Sequence, residues 1–91
     1  MFFDLETTGL DLSRDCILNI QKKDGYGKKV WCIRDYRTES ELIRQFVNYY
    51  LRVEDKILIG YNITNFDLPF LFTRIAKEDL ARFFKKYNKG Y

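Results

Sequence analysis

The chain has 91 residues, 46% of them hydrophobic and 18% aromatic, which excludes a disordered segment and fits one small domain, residues 1–91, around one core. Asp4 and Glu6 break the N-terminal apolar run, arguing against a signal peptide, and no stretch approaches the length of a membrane span; a soluble cytoplasmic protein with no membrane partner is expected. The net charge of +3 is uneven: residues 74–91 carry six Lys or Arg against Glu78 and Asp79, a basic tail that suits either a polyanion or a solvated helix face.

Met1–Leu10, MFFDLETTGL, reads as a strand closed by a turn at Thr7, Thr8 and Gly9. Side chains alternate along a strand, so Asp4 and Glu6 share one face while Leu5 points into the core. Two carboxylates side by side repel unless a cation or a proton lies between them, and hard oxygen donors suit Mg²⁺ or Mn²⁺. Alone, Asp-x-Glu is also a common pattern on an exposed strand face. Asp11–Asp15 is a polar turn and Cys16–Gln21 a second strand. Lys22–Lys29, KKDGYGKK, carries hairpin chemistry at Asp24-Gly25, and Val30–Tyr36 is a third strand, completing an antiparallel meander. Cys16 and Cys32 flank the hairpin and lack the companions and the His of a zinc motif; they could meet across it, but buried thiols are favoured over a disulfide.

Thr38 and Glu41 form a capping box, and Leu42, Ile43, Phe46, Val47, Tyr50 and Leu51 recur as one apolar stripe, predicting a helix over 39–52 that packs on the core. Lys56–Gly60 is a short apolar run after that crossover, expected to lie parallel to the first strand and beside it. Pro69 marks a helix start, with Leu68, Leu71, Phe72 and Ile75 as its buried stripe and Asp67 in its first turn. Asn62 is at least a turn residue. Glu78–Tyr87, acidic first and basic last, predicts a final helix. Three acids then converge: Asp4 and Glu6 from a central strand, and Asp67 from a helix start over its end.

These residues resemble a known family. FDLETTGL is similar to the first motif of the DEDD 3′–5′ exonucleases of the ribonuclease H-like superfamily, and GYNITNFDLPFL to the second, with Asn62, Phe66 and Asp67 at its Asn, Phe and Asp positions. The flavour is that of the family B DNA polymerase exonucleases, and the likeness runs from Met1 to about Arg74. The resemblance implies an α/β, ribonuclease H-like fold, with a truncated mixed sheet of three antiparallel strands plus one parallel strand and about three helices. It implies a metal-dependent exonuclease acting on single-stranded DNA or RNA, with Asp4, Glu6 and Asp67 as catalytic metal ligands for Mg²⁺ or Mn²⁺. Thr7, Asn62 and Phe66 would lie near the terminal nucleotides.

One departure matters. The family carries a third motif, Tyr or His four residues before an Asp, which supplies a fourth acid and orients the attacking water. Here there is no His, Tyr87 and Tyr91 have no such Asp, and Asp79 is preceded at that spacing by Ile75. Three readings stay open: a piece of a longer nuclease, a reduced relative with weak or lost activity that serves as a nucleic-acid-binding or assembly module, or a chain completed by a further copy or a partner subunit.

Overall fold

A computed structural model of the chain describes residues 1–54 and 57–90. Strands β1 (Phe2–Thr7), β2 (Ile17–Asp24) and β3 (Gly27–Cys32) form an antiparallel sheet in the order β1-β2-β3. The period-two alternation decides its faces. Phe3 and Leu5 are buried with Ile20 and Trp31, while Phe2, Asp4 and Glu6 stand on the opposite, exposed face. The hairpin is tight, with Asp24 opposite Gly27 and only Gly25-Tyr26 between them. Gly27 adopts a φ of 107°, a conformation that a side chain would strain. Both hairpin strands run closer to the turn than expected, and β3 therefore ends at Cys32. Ile33–Asp35, predicted as strand, is a 3-10 turn closed by Tyr36 N–H to Ile33 O at 3.1 Å. This register sets Cys32 against Asn19, not Cys16, and both thiols are free and half-buried rather than fully buried.

Helix α1 (Glu39–Arg52) has the expected bounds. Thr38 Oγ1 accepts the Glu41 N–H at 3.1 Å, and the Glu41 carboxylate reaches back to the Arg37 N–H at 3.1 Å, so donors at the helix start are satisfied. Its buried stripe is Leu42, Ile43, Phe46, Val47 and Tyr50. Phe46 links it to the sheet, stacking on Phe3 at 5.0 Å and meeting Trp31 edge-on at 5.5 Å.

Helices α2 (Leu68–Arg74) and α3 (Lys77–Gly90) complete the helical layer. Phe70, outside the predicted stripe, is fully buried, and Phe72 sits among Phe83, Phe84 and Tyr87. Much of the basic tail ties elements together. Arg74 Nε donates to Glu39 at 2.8 Å, and that carboxylate also accepts the Ile17 N–H at 2.6 Å. Buried Asp79 takes Arg44 and Arg82, each at 3.1 Å, holding α3 against α1. Lys86 bonds the Tyr50 and Val53 carbonyls at the end of α1, where a cation also meets the helix dipole favourably.

The parallel strand expected over Lys56–Gly60 is reduced. Lys56 lies outside the described residues, and what is seen is one parallel bridge between Phe2 and Ile59, with Phe3 N–H to Ile59 O and Ile59 N–H to Met1 O at 2.9 Å. On one side of the bridge the Met1 ammonium donates to Ile57 O at 3.0 Å; on the other the chain turns away at Gly60-Tyr61.

A polar group beneath the hairpin offers the sharpest test of the packing. Lys22 Nζ donates to Asp24 at 2.8 Å, to Gly27 O at 3.0 Å and to Tyr49 Oη at 2.7 Å, while Tyr49 donates to the other Asp24 oxygen. Burial alone would raise the Asp24 pKa; hydrogen bonds from Lys22, Tyr49 and the Tyr26 N–H reverse this and hold it at about 2. Its contribution to stability is present above pH ~4 and lost as pH falls toward 2. Removing the cation strands a carboxylate with 3% side-chain exposure. Lys22→Met is expected to cost roughly 3 kcal/mol in urea unfolding, whereas exposed Lys23→Met should stay within about 0.5 kcal/mol.

Candidate active site

Strand β1 carries Asp4 and Glu6 on its exposed face, but their partners differ. Glu6 lies opposite Asn19, and Asp4 opposite Gln21. The Glu6 carboxylate leans across the sheet, accepting Asn19 Nδ2 at 3.0 Å and Gln21 Nε2 at 3.2 Å. A register shift between Glu6 and Thr7, a bulge of the kind that re-aims side chains, turns the chain after the motif. Thr7 is half-buried, and its hydroxyl closes the turn on Gly9 O at 2.6 Å.

Asp67 arrives from the other side. The segment Ile63–Asp67 is a π-helical turn in which Asn62 O accepts the amides of Phe66 (2.9 Å) and Asp67 (3.3 Å). Such wide turns often sit at functional positions. The sequence placed Asp67 inside the first turn of a helix; it lies just before α2 and caps no amide there. Its carboxylate instead accepts the Leu5 N–H of β1. Asp67 is only 2% exposed, and burial, with the negative charge of Asp4 second, raises its pKa to about 6 against the pull of the Leu5 hydrogen bond. Gly60 makes the approach possible. A Cβ there would lie 2.8 Å from Phe3 O, 3.2 Å from Ile63 Cβ and 3.6 Å from Asp67 Oδ2.

The structure therefore brings Asp4 and Asp67 together across the edge of β1 and leaves Glu6 turned toward β2. Among the described residues, no group of three or more His, Cys, Asp or Glu side chains is arranged to hold a metal ion. The Asp4–Asp67 pair nevertheless fits a hard divalent cation. Both donors are carboxylate oxygens, and their mutual repulsion, visible in the raised Asp67 pKa, is what a bound cation would remove. Glu6 could join only by releasing Asn19 and Gln21. Phe66 is half-buried against Phe70, with ring centroids 5.4 Å apart, while Asn62 is exposed.

Sequence reasoning missed Gly60, Asn19 and Gln21. The last two carried a readable signal, because Asn19, Gln21 and Lys23 alternate along β2 on the same face as the acids. Gly60 had none, because its role depends on a backbone from the far end of the chain.

Residues 3–89 match the model of the exonuclease domain of DNA polymerase family B. The chain belongs to that family. Over 79 residues it is 32% identical to the DNA polymerase of red sea bream iridovirus, an alignment covering 87% of this chain and 8% of that protein. It is 35% identical over 51 residues to the DNA polymerase delta catalytic subunit of Mesocricetus auratus (56% of this chain, 5% of that protein). Against the delta catalytic subunit of Dictyostelium discoideum it is 33% identical over 48 residues (53% and 4%). The chain thus spans less than a tenth of the length of these relatives. Among the described residues, no helix is long and apolar enough to cross a membrane.

The raised Asp67 pKa has a thermodynamic consequence. The folded state binds this proton more tightly than the unfolded chain does, so stability is fullest below pH ~4 and declines as pH rises through about 6. In EDTA, Asp67→Asn, which keeps an oxygen to accept the Leu5 N–H, is expected to flatten that decline. It should raise stability at pH 7 by up to about 3 kcal/mol, read by thermal unfolding across pH 4–8.

Proposed function

We propose that this chain carries the metal-dependent 3′–5′ exonuclease chemistry of its family, hydrolysing single-stranded DNA or RNA within a ribonuclease H-like framework. The observation that carries the reading is the meeting of two acids from two distant motifs, Asp4 on a strand and Asp67 before a helix, with Asp67 raised by burial and by its neighbour. Perturbed carboxylates of this kind mark sites built for ions or protons.

Asp4 and Asp67 would hold Mg²⁺ or Mn²⁺, with Glu6 recruited from Asn19 and Gln21. A divalent ion bound there supplies Lewis-acid polarisation of the phosphodiester and stabilises the attacking and leaving oxygens. The chain's own part is positional. Asp67 must be deprotonated to serve as a ligand, so its function develops as pH rises past about 6. The Leu5 N–H fixes the Asp67 carboxylate against β1, and Gly60 keeps the approach open. Thr7, Asn62 and Phe66, at the matching motif positions, would orient the terminal nucleotide.

The second reading is a nucleic-acid-binding or assembly module without catalysis, alone or completed by a partner subunit. A specific feature favours it: Glu6 is hydrogen-bonded to amides, and only two of the three acids converge.

Degradation of a 5′-labelled single strand separates the two. With Mn²⁺ or Mg²⁺, a ladder shortening from the 3′ end is expected, abolished by EDTA. Asp4→Asn and Asp67→Asn should each reduce it by more than the roughly 10–100-fold that loss of an outer-sphere partner costs. Because Asp67→Asn is expected to gain stability, its inactivity would not reflect unfolding. Strand binding without cleavage would favour the module.

A further inference from the structure

The open face of the sheet carries a second pattern that neither the acids nor the family motifs explain. Cross-strand register arranges it in rows. Glu6, Asn19 and Cys32 form one row; Asp4, Gln21 and Val30 the next; and Phe2, Lys23 and Lys28 the last. Paired residues in neighbouring strands point to the same face, and the last row lies two residues, about 7 Å, along β1 from Asp4.

That last row is electrostatically unfavourable as it stands. Lys23 and Lys28 are directly opposite, an arrangement that destabilises a sheet. Among the described residues, neither forms an ion pair, in contrast to Lys22 on the buried face, which pairs with Asp24. Two large apolar or aromatic side chains flank the row in the open: Phe2 is 57% exposed, and Tyr61 extends fully into solvent. With Val30 and Gln21 as floor, these groups line a groove of about 360 Å³ that reaches Asp4.

We propose that this groove is a single-strand track. Lys23 and Lys28 together take a backbone phosphate of a nucleic-acid strand whose 3′ end lies at Asp4, and Phe2 and Tyr61 stack on its bases. The proposal rests on the nuclease reading for the direction of the strand and adds a contact outside the motif residues. Charge complementarity selects the occupant. A phosphodiester relieves the Lys23–Lys28 repulsion, and exposed rings beside lysines provide the sequence-tolerant stacking on which single-strand binding relies. A protein segment covering this face would be expected to meet its apolar groups without needing the lysines.

The test is fluorescence anisotropy of a 5′-labelled oligothymidylate with the full chain in EDTA, where hydrolysis is blocked. Lys23→Gln/Lys28→Gln should weaken binding at least tenfold at low salt. It should also make the slope of log K against log [salt] shallower by about 0.7, the counterion release of the one single-strand phosphate that the two lysines share. Phe2→Ala and Tyr61→Ala should each weaken binding about fivefold to a hundredfold without altering the slope. Circular dichroism confirms that the variants remain folded. Equal affinity and slope for wild type and the lysine variant would overturn the track, as would the absence of any binding by the wild type. Failure of the nuclease reading looks different: lysine-dependent binding would persist in EDTA, yet no Mn²⁺-dependent shortening would follow. Conversely, Mn²⁺-dependent shortening with KM unchanged in the lysine variant would retain the nuclease and remove the track.

Discussion

The hydrogen bond from the Leu5 N–H to the buried Asp67 carboxylate is the contact on which the candidate site depends. It joins two segments more than sixty residues apart in sequence, and it does so beside a second negative charge. Burial and the neighbouring Asp4 both oppose ionisation, so the arrangement opposes the stability of the metal-free chain at neutral pH. Such a cost is characteristic of sites whose groups are placed for a ligand rather than for the fold.

The surrounding structure holds that unfavourable pair in place. Phe3 and Leu5 anchor β1 through the aromatic core, with Phe3 on Phe46 and Phe46 against Trp31. The Phe2–Ile59 bridge brings the chain back along β1, and Gly60 permits the closest approach. The π-helical turn then delivers Asp67, and α2, with Phe70 and Leu71 fully buried, fixes the turn from the other end. Hydrophobic burial on this scale, about 1.5–3 kcal/mol for each large side chain, readily outweighs the repulsion between two carboxylates.

Charge on this molecule has two distinct roles. Arg74, Arg82 and Lys86 of the basic tail join elements through Glu39, Asp79 and the carbonyls at the end of α1. Lys22 does the same beneath the hairpin. Lys23 and Lys28, which have no such partners among the described residues, stand on the side of the sheet that bears the acids. Composition located the excess positive charge in the last eighteen residues, where Arg74, Arg82 and Lys86 take structural partners; the hairpin adds Lys23 and Lys28 on the open face.

Local pattern was enough to read the antiparallel meander, the bounds of α1 and the shared face of Asp4 and Glu6, because alternation, capping and helical periodicity depend on neighbours along the chain. The two motifs were likewise legible as short strings, and with them the family. Tertiary structure alone decided that Asp67 meets Leu5 and Asp4, that Glu6 turns to Asn19 and Gln21, and that the expected parallel strand shrinks to one bridge. It also decided the end of β3, since a two-residue turn shifted the hairpin toward its tip. These outcomes depend on distances between segments remote in sequence and on which polar groups lose their water, and neither quantity is encoded in the spacing of residues along one stretch.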